Sequence, residues 1–175
     1  MKIFITGIGV VSAIGLNAEE NLNAIRSGRT GIYPSDQHHL MMGEVKLSND
    51  RLMQMLQLSP EDYSRTTLLG LMAAREAWKG HSNHPDIRTG LVSATSIGGV
   101  DRMEQHYFDS LKAGRSDTDP RMIHENGRTT EKMAQALDIT GYINTISTAC
   151  SSGANAIMHG ARLMAGNRLD RVLVG

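Results

Sequence analysis

The chain has 175 residues, with 18 basic and 18 acidic side chains, so its formal net charge is zero. This length allows one domain with a sizeable core. The balanced charge lacks the basic stripe of nucleic-acid binders and the acidic block of a disordered tail. No apolar run approaches the roughly 20 residues of a membrane helix, and the N-terminal segment lacks a secretory signal pattern. A single cysteine excludes an internal disulfide, and we expect a cytoplasmic protein.

The pattern in the first third of the chain predicts strands and helices of modest length. The segment is expected to form a strand at residues 2–11, a helix at 19–27, a short strand at 43–47, and a helix from Ser48 or Asn49 to Leu58. In the first helix, Leu22 and Ile25 are expected to face inward, and Gly28 suits the C-terminal cap.

The clearest helical signal starts at Ser59. This serine is a suitable N-cap, Pro60 fits the first helical position, and Asp62 completes a capping-box spacing. An apolar stripe follows, and Gly80 is expected to end the helix.

The second half alternates between strands and helices. We expect strands at 89–95, 142–147 and 171–175, helices at 100–112, 129–137 and 154–165, and a long polar loop at 114–128. Strands alternating with helices predict an α/β protein whose sheet is at least partly parallel. Because the last strand ends with the chain, we expect these residues to be the front part of a longer protein.

Cys150 lies between a predicted strand and a predicted helix, with small residues on both sides of it in the segment TACSSG at 148–153. A lone cysteine is usually a small buried apolar residue. Here the tight turn would expose the thiol at a helix N-terminus, where the dipole and free N–H groups favour a thiolate and can hold an oxyanion. This context favours a nucleophile.

A nucleophilic cysteine needs a group that handles protons. His159 follows Cys150 by nine residues on the same helix, so it should lie on the opposite face, roughly 13 Å along the axis. It therefore does not suit the role of base. His106 and His124 lie in polar surroundings, and neither is a convincing partner.

Three other motifs carry weaker signals. The segment GIGVVS at 7–12 nearly matches a dinucleotide fingerprint, but a serine replaces the third glycine, so close backbone packing is the favoured interpretation. The histidine pairs at 38–39 and at 81 and 84 lack companion ligands, and we expect no metal site. The pair Gly98 and Gly99 fits either a turn or a close approach to a substrate or another chain.

Six segments together resemble the β-ketoacyl-acyl carrier protein synthases, the condensing enzymes of fatty acid and polyketide synthesis. They are ITGIGVVSAIG at 5–15, RTGI at 29–32, AAREA at 73–77, SIGG at 96–99, TACSSG at 148–153 and RVLVG at 171–175. The resemblance implies a thiolase-like layered α/β fold of two similar halves. Residues 1–175 would be the N-terminal part, with a mixed, mostly parallel sheet flanked by helices, and the C-terminal half would be absent from this chain.

The resemblance also implies a function. Cys150 would take an acyl chain from an acyl carrier protein, and decarboxylation of a malonyl-carrier unit would drive its condensation with that thioester. The strand at about 142–147 would pair with its mate in a homodimer or heterodimer, and Met103 would line the acyl pocket. No cofactor is expected beyond the phosphopantetheine arm that carries the substrates. A basic patch of Arg65, Arg121 and Arg128 is a candidate surface for the carrier protein.

In this family two catalytic histidines, and a lysine between them, come from the second half. The chain alone is therefore expected to be inactive. Two alternatives stay open: a coenzyme A-dependent thiolase or acyltransferase, and an inactive fragment or dimerisation subunit. Acyl chain length and the choice between fatty acid and polyketide synthesis do not follow from the sequence.

Overall fold

The computed structural model describes residues 2–35, 39–59, 63–82, 84–114 and 126–175. Its elements in chain order are α1 (Ala18–Arg26), β1 (Ile32–Pro34), β2 (Met41–Gly43), α2 (Asn49–Met55), α3 (Arg65–Ala77), β3 (Thr89–Ala94), α4 (Val100–Lys112), α5 (Asn126–Ala136), β4 (Tyr142–Ile146), a 3₁₀ turn (Ala149–Ser151), α6 (Ser152–Ala165) and β5 (Arg171–Val174). The chain divides into two compact units. The first comprises Met1–Ile3, Glu61–Leu68 and Asn83–Gly175, and the second comprises Phe4–Pro60 and Leu69–Ser82.

None of the helices in these described ranges is long and apolar enough to cross a lipid bilayer.

The first unit is built on a three-stranded parallel sheet with β3 in the centre. β4 pairs with one edge of β3 and β5 with the other, so that Leu91 lies opposite both Ile143 and Leu173. The first five residues of β3 are all buried, which shows that both faces of the central strand are covered. The helices α5 and α6 provide this cover. The predicted α/β architecture with a parallel sheet is confirmed.

The helix α6 packs very closely on β5. A side chain at Gly160 would place its Cβ 2.7 Å from a methyl group of Val174 and 3.0 Å from one of Val172. Ala156, one turn earlier, is fully buried. Small residues on this face therefore let α6 approach the sheet, and they hold the helix start at the carboxyl end of β4.

The second unit contains α1, β1, β2, α2 and most of α3. The carboxylate of Glu76 on α3 joins two distant segments, because it accepts hydrogen bonds from the backbone N–H of Val10 (2.9 Å) and of Ala18 (2.8 Å). As predicted, Gly28 ends α1: it has a φ of +65°, and the next N–H, that of Arg29, donates to the carbonyl of Ala24 at 2.9 Å.

The predicted strand at residues 2–11 is wrong, because this segment pairs with no other strand in the described part of the chain. Its glycines instead lie against α3. A Cβ at Gly7 would be 2.0 Å from the carbonyl oxygen of Ala77, and one at Gly9 would be 1.8 Å from that of Ala73. The expectation of close backbone packing at these glycines is confirmed.

The predicted inward face of α1 is also wrong. Leu22 is 45% exposed and Ile25 is 67% exposed, whereas Asn21 and Ala24 are buried. The amide of Asn21 donates to the carbonyl oxygens of Gly15 (2.9 Å) and Asn17 (2.8 Å), so a buried polar side chain anchors the helix together with the small Ala24.

Several boundaries differ from the expectations. The short strand expected at 43–47 is absent. Instead, β1 and β2 form an antiparallel ribbon, in which β2 ends at Gly43. The helix expected from Ser59 starts at Arg65, where the hydroxyl of Ser64 accepts from the N–H of Thr67; Pro60 and Asp62 lie outside the described residues. The helix at 100–112 is confirmed, and α5 starts three residues earlier than expected, inside the predicted loop, whose residues 115–125 are not described.

Candidate active site

Cys150 lies in the turn that joins β4 to α6. It is the middle residue of the 3₁₀ turn, and it is exposed. The helix α6 has 14 residues and starts at Ser152, two residues earlier than expected, so the thiol stands just before its first turn. The predicted strand–turn–helix arrangement is confirmed. The positive end of the helix dipole there can stabilise a developing oxyanion.

The residue before the cysteine has an unusual backbone conformation. Ala149 has a φ of +51°, in the left-handed region that residues with a Cβ rarely adopt. Such a conformation persists only where the surroundings hold it in place. Two hydroxyl groups reach its carbonyl oxygen: Ser152 Oγ donates at 2.7 Å and Ser96 Oγ at 3.1 Å.

A network of short polar side chains supports the rest of the turn. Ser152 is buried, and its hydroxyl also accepts from the N–H of Thr148 at 2.9 Å. The hydroxyl of Ser151 donates to the carbonyl of Thr148 at 2.7 Å, and the amide of Asn155 donates to Thr148 Oγ1 at 2.8 Å. Both ends of the turn are thus tied to the first turn of α6.

The loop after β3 reaches the cysteine turn through Ser96. The loop itself is held at Gly98, whose N–H donates to Thr95 Oγ1 (2.9 Å) and whose carbonyl accepts from Thr66 Oγ1 (2.7 Å). Gly98 has a φ of +54°, which favours the turn interpretation of the glycine pair. Sequence reasoning singled out the SIGG segment at 96–99 but missed the role of its serine.

The imidazole of His159 forms a hydrogen bond with a tyrosine rather than with the Cys150 thiol. Its Nε2 forms a hydrogen bond of 2.8 Å with the hydroxyl of Tyr142, which also accepts from the amide of Asn144 at 2.8 Å. This contact agrees with the expectation that His159 is not the base. His106 is exposed on α4, and His124 lies outside the described residues. Within those residues, no group of three histidine, cysteine or acidic side chains is arranged to hold a metal ion.

Three of the four predicted pocket and carrier-surface residues fall within the described ranges, each on a different helix. Met103 is 39% exposed on α4, a helix that has no buried residue. Arg128 is exposed on α5, Arg65 is the first residue of α3, and Arg121 is not described. A pocket-lining role for Met103 and a carrier surface at the arginines stay predictions.

β4 is an edge strand of the three-stranded sheet, since among the described strands it pairs with β3 alone. The apolar side chain of Ile143, in the middle of β4, is 40% exposed. An unpaired strand edge with an exposed apolar side chain is a template for pairing with another chain. The strand expected to form a dimer therefore has a free edge in this sheet.

Comparison with known sequences gives one family for the whole chain. A family model described as "Beta-ketoacyl synthase, N-terminal domain" matches residues 1–175. The chain is 25% identical over 187 residues to 3-oxoacyl-[acyl-carrier-protein] synthase 2 of Coxiella burnetii, and 27% identical over 189 residues to synthase 1 of Escherichia coli K12. Both matches cover 99% of this chain but only 45% and 44% of the relatives, so the chain spans less than half of their length.

Solved structures show the same similarity. A ketosynthase from Xenorhabdus doucetiae, solved in complex with its chain length factor, superposes with a TM-score of 0.74 and 25% identity, covering 98% of this chain and 46% of that one. A ketosynthase solved with a type II polyketide synthase acyl-carrier protein superposes with a TM-score of 0.68 and 20% identity, covering 98% and 44%. The likeness confirms the thiolase-like fold class.

Proposed function

The chain belongs to the β-ketoacyl synthase N-terminal domain family, and from this we propose that the whole protein is a 3-oxoacyl-[acyl-carrier-protein] synthase with Cys150 as its acyl-accepting nucleophile. The observation that carries the proposal is the position of Cys150. It is the single cysteine, it is exposed, and it stands at the start of α6 on a turn that is held by hydrogen bonds from both sides.

The first step is acyl transfer. The thiolate of Cys150 attacks the carbonyl carbon of an acyl thioester on the phosphopantetheine arm of a carrier protein. A new S–C bond forms, the old C–S bond breaks, and the carrier leaves as a thiolate that takes up the proton lost from Cys150. The carbonyl oxygen becomes negative on the way, and the N–H of Cys150 at the start of α6 is one donor for it.

The second step is condensation. A malonyl unit on a carrier protein loses carbon dioxide, and the resulting carbanion attacks the carbonyl carbon of the Cys150 thioester. The new C–C bond releases the cysteine thiolate. By the family resemblance, the histidines and the lysine for this step come from the second half of the domain, so residues 1–175 alone would not condense. We propose that the protein works without a resident cofactor. Its cytoplasmic location stays a prediction.

The proposed partners are an acyl carrier protein and a second ketosynthase-like chain. Support for the first comes from the ketosynthase solved with its acyl-carrier protein, and for the second from the ketosynthase solved with its chain length factor. The free edge of β4 supplies a surface on which a second chain can add a strand.

The test is acyl loading of the full-length protein. Incubation with an acyl-carrier protein thioester, followed by peptide mass spectrometry, should place one acyl group on the peptide that contains Cys150. Cys150→Ala should abolish the label, whereas Ser151→Ala, its exposed neighbour, should retain it. A label on another residue would refute the proposal. Loading from acyl-coenzyme A but not from the carrier would identify the thiolase-like alternative instead.

A further inference from the structure

We infer that Ser96 and Ser152 are positioning residues that aim the backbone N–H of Cys150 at the acyl oxygen, by holding the carbonyl of Ala149. This inference rests on the proposed role of Cys150. Both hydroxyl groups donate to the same oxygen, at 3.1 Å and 2.7 Å, from two different elements of the fold.

The covalent geometry explains why holding this oxygen matters. The carbonyl of Ala149 and the N–H of Cys150 belong to one planar peptide unit, and in a trans peptide they point in opposite directions. The described chain has no cis peptide bond. Fixing the Ala149 oxygen on one side therefore fixes the direction of the Cys150 N–H on the other side.

The conformation of Ala149 makes this support necessary. Its φ of +51° is disfavoured for a residue with a Cβ, so without external contacts the peptide would tend to rotate away. Ser152 holds the Ala149 oxygen from α6 with both its backbone N–H and its hydroxyl, and Ser96 holds it from the loop after β3. The peptide plane is thereby constrained from two directions rather than one.

The two serines are themselves fixed in place. Ser152 is buried on α6 and also accepts from the N–H of Thr148, so its hydroxyl spans the turn. Ser96 lies on the loop after β3, which Thr66 and Thr95 hold at Gly98. These two serines, which we call the serine clamp, therefore connect the cysteine turn to the loop after β3 as well as to its own helix.

The test compares two reactions of Cys150 in the full-length protein. Acyl transfer from a carrier thioester develops an oxyanion and needs the aimed N–H, whereas alkylation by iodoacetamide does not. Ser96→Ala should lower the acyl-transfer rate at saturating donor about fivefold, the effect of losing one hydrogen bond. The alkylation rate, the half-saturating donor concentration and the melting temperature should stay close to those of the wild type. Ser96→Thr, which keeps the hydroxyl, should restore the transfer rate.

Ser27→Ala is the matched control for Ser96→Ala. Ser27 Oγ donates to the carbonyl of Ala24 at 3.1 Å at the end of α1, so Ser27→Ala removes a similar bond elsewhere and should leave both reactions unchanged. Equal transfer rates for Ser96→Ala and wild type would refute the clamp. So would a parallel loss of transfer, alkylation and stability, or a failure of Ser96→Thr to recover. If wild type itself is not acylated at Cys150, the proposed function fails instead.

Discussion

Arg88 and Asp170 form a bidentate ion pair at the amino ends of β3 and β5. The guanidinium of Arg88 donates to the carboxylate from Nε at 2.9 Å and from Nη2 at 2.7 Å, and its backbone N–H donates to the same carboxylate at 2.8 Å. The side-chain bonds are the main cause that lowers the pKa of Asp170 from its ordinary value of 3.8 to about 2. The pair thus connects the two strands just where their register begins.

This lowered pKa predicts a specific acid sensitivity. Between about pH 2 and pH 3.8 the unfolded chain binds a proton at Asp170 that the folded chain does not, so the pair stabilises the fold above this window and loses its effect as the pH falls through it. Urea unfolding at pH 2 to 5 should show a steeper loss of stability for the wild type than for Asp170→Asn.

The control for acid sensitivity is Asp109→Asn, which removes an exposed carboxylate from α4. It should keep the slope of the wild type between pH 2 and pH 4. Equal slopes for Asp170→Asn and the wild type would show that the ion pair does not couple protonation to folding.

The approach of Gly9 to α3 predicts a severe effect of a single methyl group. In Gly9→Ala the new Cβ would meet the carbonyl oxygen of Ala73 at 1.8 Å, and backbone cannot yield as a flexible side chain can. We expect a loss of about 3 kcal/mol or more in the free energy of unfolding.

A glycine in open space is the matched control for Gly9. Gly127, on α5, has nothing within 4 Å of its built Cβ. Gly127→Ala should therefore change the free energy of unfolding by less than about 0.5 kcal/mol, since Gly127 lies in the first turn of α5 and its Cβ meets nothing. Chemical denaturation of both variants gives the comparison, and a mild effect at Gly9 would contradict the packing described.

Local pattern was enough to predict the elements around Cys150. The strand before it, the helix after it and the parallel arrangement of β3, β4 and β5 all follow from alternating apolar segments separated by small or polar residues. Cys150 stood out because small residues flank it at the junction, which is a signal within six consecutive positions.

Contacts between residues far apart in the chain could not be predicted from the sequence. Ser96 and Ala149 are 53 positions apart, and Glu76 and Val10 are 66 apart, so no local spacing indicates that they meet. The strand predicted for the N-terminal segment was wrong for a related reason. Its apolar pattern is that of a strand, but its glycines pack on the distant helix α3 instead. Tertiary contacts overrode local propensity there.

The buried hydroxyl of Ser152 also predicts an effect on the stability of the fold. Ser152→Ala would remove the acceptor of the Thr148 N–H and one donor to the Ala149 carbonyl. Because the two lost hydrogen bonds contribute about 1 kcal/mol each, we expect a loss of about 2 kcal/mol. The exposed Ser151→Ala should cost less than about 1 kcal/mol. Urea titration checks both, and equal losses would show that Ser152 does not bridge the turn.

The free edge of β4 predicts how the proposed dimer responds to charge. Ile143 is 40% exposed on this strand, and lysine on an edge strand opposes pairing with a second chain because it would have to bury its charge. Ile143→Lys should raise the dimer dissociation constant of the full-length protein about tenfold or more, measured by analytical ultracentrifugation over a dilution series.

Ile25→Lys separates a role of the β4 edge from a general effect of charge. Ile25 is 67% exposed and lies on the helix α1 rather than on a strand, so its replacement adds the same charge at a position that cannot pair as a strand edge. It should leave the dissociation constant unchanged. If both variants shift the equilibrium equally, net charge rather than strand pairing controls association. If neither does, the second chain binds elsewhere, and the exposed edge of β4 needs another explanation.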